Sequence, residues 1–102
     1  MIILKKAADL IDYVNRYKQN HQQIGFVPTM GALHEGHISL LKYSKSTARV
    51  SICSIFINPT QFNDSKDFEK YPVTIEEDIY KLETNGCDIL FLPPVKEVLT
   101  II

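Results

Sequence analysis

Short apolar runs alternate along this chain with stretches of helical spacing, and the alternation predicts the fold. Ile2-Ile3-Leu4 is a short apolar run of strand type, after which Ala7, Leu10, Ile11, Val14 and Tyr17 recur three and four apart to about Lys18. That spacing predicts an amphipathic helix lying on a sheet. Asn20-His21-Gln22-Gln23 is a polar connection in which His21 reads as an exposed loop residue. Ile24, Phe26 and Val27 form a second apolar run, expected to stop at Pro28 because proline has no N–H to give to a ladder. Ile38, Leu41 and Ala48 then keep one side of a second helix apolar, with Lys42 and Lys45 on the other. Val50 to Ile57 is rich in β-branched residues and too apolar for a strand with one wet face, so it reads as a central parallel strand. Thr74-Ile75-Glu76-Glu77 has the form of a capping box opening a third helix, which should run to about Thr84 before Asn85-Gly86 ends it. Ile89-Leu90-Phe91-Leu92 is the last predicted strand, closed by Pro93-Pro94.

Strands alternating with helices imply βαβ crossovers, hence an α/β fold with a Rossmann-like parallel sheet flanked by helices. At 102 residues the chain has room for one domain, which would bury roughly 65% of its unfolded surface. A hydrophobic fraction of 45% and a charged fraction of 23% are ordinary for a globular protein. The net charge of −1, with both signs interleaved, offers no broad cationic surface for nucleic acid. No apolar run approaches the roughly 18 residues that span a bilayer, and the N-terminal segment is amphipathic, so a cytoplasmic protein without membrane association is the expectation. Cys53 and Cys87 have no metal or redox spacing and read as reduced packing residues.

The candidate chemistry sits where the second apolar run gives way to the second helix. Ligands of parallel sheets bind beyond the carboxyl ends of the strands. Pro28-Thr29-Met30-Gly31-Ala32-Leu33-His34-Glu35-Gly36-His37 occupies such an end, and Asn58 and Gln61 follow another. His34 and His37 are three apart, so both imidazoles should lie on one side of the first helical turn, beside free backbone N–H groups and the positive end of the helix dipole. That combination suits phosphate. Gly31 and Gly36 allow tight backbone and close approach of a ligand. Spacing alone does not rank the two histidines, and plain N-terminal capping is the competing explanation for both. A zinc site of the His-Glu-x-x-His kind needs histidines four apart, so no protein-bound metal is expected. Met30 is either core or the apolar wall of a small-molecule site. The amides of Asn58 and Gln61 can serve a carboxylate and a hydroxyl, or simply stabilise the Asn-Pro turn. Asn58 to Val73 has no apolar period and is long for a connection, which marks a functional loop. Within Asp67-Phe68-Glu69-Lys70-Tyr71-Pro72 the aromatics should pin that loop and the charges should be solvated.

The His34 to His37 tetrapeptide resembles the His-x-Gly-His signature of the nucleotidyltransferase superfamily. Four blocks in order, Pro28 to His37, Ile55 to Phe62, Asp67 to Pro72 and Gly86-Cys87-Asp88, are more specific and resemble the pantothenate synthetase family, whose members join pantoate to β-alanine. The resemblance runs from the first residues to about Pro94. It implies ATP, carried with Mg2+, against Met30, Gly31, Ala32, Leu33, His34, Glu35, Gly36 and His37. His37 would be the catalytic donor and His34 its partner. Gln61 would bind pantoate and lie near β-alanine, with Asn58, Pro28, Thr29 and Met30 beside it. A homodimer is also implied, with the Val50 to Ile57 run extending a sheet across subunits. Family members are much longer, and their second half supplies a Gly-x-x-Asp-Lys segment and a serine and arginine loop that this sequence does not contain. Residues 1–102 therefore resemble an N-terminal nucleotide-binding domain, incomplete relative to the family, with little or no ligase activity alone. Another nucleotidyltransferase acting on a phosphorylated acceptor would call for arginine or lysine between Val50 and Asn63, where there is none. A non-catalytic nucleotide-binding domain is the third reading.

Overall fold

A computed structural model describes residues 1–56 and 74–94. In chain order the elements are β1 (Ile2–Leu4), α1 (Ala7–Gln19), β2 (Ile24–Thr29), α2 (Glu35–Thr47), β3 (Val50–Ile55), α3 (Ile75–Thr84) and β4 (Ile89–Phe91). The strands form one sheet in the order β1-β4-β3-β2, and every pairing is parallel. This is the Rossmann-like arrangement the alternating periods predict.

The two faces of the sheet carry separate cores. Val50, Ile52 and Ile89 point to one side, where Leu10, Tyr13, Val14 and Tyr17 of α1 pack on them. Cys53, Ile55 and Leu90 point to the other, against Leu41 of α2 and Leu82 of α3. Each fully buried leucine or isoleucine, Leu41, Ile52, Ile55, Leu82, Ile89 and Leu90, contributes about 1.5 to 3 kcal/mol by leaving water. All six residues of β3 are buried, as a strand covered on both faces requires. Cys53 and Cys87 are free and buried. Burial pushes the Cys53 thiol up to about 12, with the nearby Cys87 and Asp78 adding to the effect, so it stays protonated and inert at neutral pH.

Four expectations need correction. β2 does not stop at Val27 but continues through Pro28 to Thr29. It is an edge strand, and Thr29 turns its carbonyl to β3, where it accepts the Phe56 N–H at 3.0 Å. Alternation then points the nitrogen of Pro28 at the open edge, where no donor is needed. Ile11 is 56% exposed, because α1 faces the sheet through Leu10, Tyr13, Val14 and Tyr17 and Ile11 lies off that stripe. Thr74 makes no side-chain cap, so the capping box is not formed; its hydroxyl donates to Asp78 instead, at 3.3 Å. β3 cannot extend a sheet across subunits, since β2 and β4 already pair with both its edges. Lys45, on the polar side of α2 as read from the sequence, donates to the Gly86 carbonyl at 2.7 Å, where Gly86, at φ +81, ends α3. The loop from Asn58 to Val73 and the end of the predicted third strand at Ile57 lie outside the described residues.

No helix among the described residues is long and apolar enough to cross a membrane.

Candidate active site

The site grows out of the carboxyl end of β2. Thr29 is buried and its hydroxyl donates to the Ser54 carbonyl at 2.9 Å, fastening the strand end to β3. Its oxygen in turn accepts the Gly31 N–H at 3.3 Å. Two consecutive residues with positive φ follow, Gly31 at +91 and Ala32 at +51. Alanine in that region costs about 1 to 2 kcal/mol. The turn is held because Ala32 N–H donates to Asp78 Oδ2 at 3.0 Å and Leu33 N–H to Asp78 Oδ1 at 2.9 Å. Bonds of this kind, to a charged acceptor, are worth about 1.5 to 3 kcal/mol each and outweigh the strain. Lys81 donates to the Leu33 carbonyl at 2.8 Å, while the Leu33 side chain is buried in the core below.

The histidines then cap the helix they begin. His34 is the N-cap of α2, and its Nδ1 accepts the Gly36 N–H at 3.0 Å. The backbone N–H of His34 donates to Nδ1 of His37 at 3.1 Å. The rings stand 4.1 Å apart, inclined by 46°. A Cβ on Gly36 would come within 2.7 Å of the His34 ring, so only glycine lets that imidazole fold back over the turn. Capping and phosphate binding are therefore not rival roles here. With each Nδ1 accepting a backbone N–H, the neutral ring is fixed as the Nε2–H tautomer, and its second nitrogen is left as a donor. Burial holds the pKa of His37 below its ordinary value of 6.5, His34 adds to the lowering, and Asp78 opposes it.

A cavity of about 370 Å³ opens beside the turn, lined by Pro28, Thr29, Met30, His37, Ser54 and Phe56. The structure thus brings Pro28, Thr29, Met30 and His37 to one recess at the ends of β2 and β3. Met30 is 57% exposed, so it is not core. His34 lies against His37, and Gly31, Ala32, Leu33, Glu35 and Gly36 form the turn between. Asn58 and Gln61 lie outside the described residues. Among the described residues no three side chains of the metal-ligating types gather in one place.

Asp78 and Lys81 carry the turn, with Thr74 bonded to Asp78, and neither Asp78 nor Lys81 belongs to a motif read in the sequence. A signal existed: Asp78 falls on the apolar stripe of α3, three after Ile75 and four before Leu82, where an acid has no reason to be unless something meets it.

Comparison with known proteins agrees with this architecture. The family model described as pantoate-beta-alanine ligase matches residues 2–101. The pantothenate synthetase of Leptospira biflexa is 50% identical over 98 residues, which cover 96% of this chain and 35% of the relative. That of Cytophaga hutchinsonii is 47% identical over 97 residues, covering 95% of this chain and 34% of the relative. Among solved structures, the pantoate-beta-alanine ligase of Francisella tularensis complexed with beta-gamma ATP and beta-alanine superposes with a TM-score of 0.80 at 48% identity, over 98% of this chain and 38% of that one. The pantothenate synthetase of Thermus thermophilus gives 0.75 at 36% identity, over 95% and 33%. The chain spans about a third of the length of these relatives. With a family model matching nearly its whole length, the chain belongs to the pantoate-beta-alanine ligase family.

Proposed function

We propose that residues 1–102 form the N-terminal, nucleotide-binding domain of an ATP-dependent ligase that condenses pantoate with β-alanine. Joining a carboxylate to an amine first needs a better leaving group than hydroxide. A pantoate carboxylate oxygen attacks the α-phosphorus of ATP; the new O–P bond forms as the bond to the bridging oxygen breaks, giving pantoyl adenylate and pyrophosphate. The amine of β-alanine then attacks the acyl carbon, loses a proton and expels AMP, leaving pantothenate.

One observation carries this reading: two Nε2–H donors at the start of α2, beside a 370 Å³ recess lined by Pro28, Thr29 and Met30. The polyphosphate lies over Met30 to His37, with the α2 dipole and the turn beneath it. His37 is the donor to the phosphate oxygen that gains charge as pyrophosphate leaves, and His34 supports it. A single well-placed donor of this kind is worth about 3 to 4 kcal/mol. Pantoate occupies the recess, with Gln61 and Asn58 supplying amides to its carboxylate and hydroxyl and Gln61 also near β-alanine. Mg2+ arrives on the ATP phosphates. The Francisella ligase is complexed with beta-gamma ATP and beta-alanine, which supports the same ligand classes. The setting is cytoplasmic and the protein a homodimer. With β3 interior, the edge of β2, beside exposed Phe26, Leu40 and Tyr43, is the surface for the second copy.

The test is a titration of isotopically labelled chain with ATP and Mg2+, followed by NMR. Signals of the His34 and His37 rings and of the Met30 to Gly36 amides should move, and His37→Ala should remove the response. Saturable shifts confined to other parts of the chain would refute the assignment. Residues 1–102 alone should show little turnover with ATP, pantoate and β-alanine.

A further inference from the structure

We infer that Asp78 and Lys81 are positioning residues for the imidazole pair, acting through the backbone that precedes it. Three consecutive peptide planes are held from α3. Asp78 receives the N–H of the planes joining residues 31 to 32 and 32 to 33, one on each carboxylate oxygen. Lys81 holds the carbonyl of the next plane, that of Leu33 and His34. No peptide bond in the described residues is cis, so the N–H of that plane points opposite its carbonyl. It is this N–H, on His34, that donates to Nδ1 of His37. The lysine therefore fixes the direction of the very bond that sets the His37 tautomer and turns its Nε2–H outward.

The placement of Asp78 argues for a task beyond packing. It is 0% exposed, on a stripe where leucine or valine would fill the same space without a charge to desolvate. Among the described residues its carboxylate bonds only the turn before the histidines and Thr74, the residue that opens its own helix. Gly31 and Ala32, both at positive φ, aim successive N–H groups at one point, the concave arrangement that receives an anion, and here the anion is the protein's own carboxylate. Without that charge Ala32 has no compensation for its conformation, and the plane carrying His34 N–H is free to rotate.

The catalytic meaning of this clamp rests on the proposed function, but its existence is read without nucleotide, from imidazole nitrogen shifts and amide hydrogen exchange. In the unaltered 102-residue chain the Ala32 and Leu33 amides should exchange at least tenfold more slowly than free peptide, and neutral His37 should be almost wholly Nε2–H. Lys81→Met should shift the His37 tautomer ratio at least tenfold toward an even mixture while β3 amides stay protected, and Lys81→Arg should restore it. Asp78→Asn, which turns one acceptor into a donor facing an N–H, should release the Ala32 and Leu33 amides. Adding Ala32→Gly to it should recover part of the tautomer ratio, because glycine holds φ near +51 unaided. Should Asp78→Asn unfold the chain, Lys81→Met decides. An unchanged His37 tautomer in folded Lys81→Met, or unprotected Ala32 and Leu33 amides in the unaltered chain, overturns the proposal.

Discussion

At the scale of single residues, the two nitrogens of each imidazole are divided between the backbone and the surroundings. Each Nδ1 is committed to the backbone of its own turn, and each neutral ring keeps its Nε2–H as a donor. The arrangement depends on His37 being neutral, since a protonated Nδ1 no longer accepts the His34 N–H and a cation at a helix N-terminus opposes the dipole. The pKa of His37 is held below 6.5, so between that lowered value and 6.5 the unfolded chain binds more protons than the folded one. The contribution of this residue to stability is thus full above pH 6.5 and declines as the pH falls through the window. Denaturant titrations from pH 8 to pH 5 should show this decline, and His37→Gln, which does not titrate there, should flatten it. The histidine pair and its glycines were legible in the sequence because spacing alone brings them together. Asp78 was visible only as an acid on an apolar stripe; what it holds was not, because its partners are the backbones of Ala32 and Leu33, distant in sequence and bearing no mark in it.

At the scale of elements, helix positions and strand order follow from where small and polar residues let surfaces approach. Gly25 sits in β2 beneath α2, and a Cβ there would fall on Ser44 Oγ, itself bonded to Ser51 Oγ at 3.2 Å. Gly25→Ala should therefore lower stability by about 1 to 3 kcal/mol, measured by urea denaturation, with the loss traceable to a lifted α2. Short apolar runs, helical spacing and the stop at Asn85-Gly86 located the seven elements of the described residues. They did not show that Pro28 continues a strand, since that depends on β2 lying at an edge, a property of strand order rather than of local pattern. Nor did they separate Ile11 from the buried stripe of α1, since spacing admits it and only the direction of the sheet excludes it.

At the scale of the whole molecule, the sheet places the recess, the imidazole pair and the end of β3 at one margin, while α3 reaches across from the far side of the sequence to hold the turn. The first strand depends on β4: Ile2, Ile3 and Leu4 pair with Ile89, Leu90 and Phe91, and among the described residues β1 has no other neighbour. A chain cut before Ile89 should lose its cooperative thermal transition in circular dichroism, because β3 gains a bare edge and β1 has nothing to join. That dependence also sets a schedule. During synthesis the opening segment must remain uncommitted until Ile89 to Phe91 have left the ribosome, so the first strand made is the last to join the sheet.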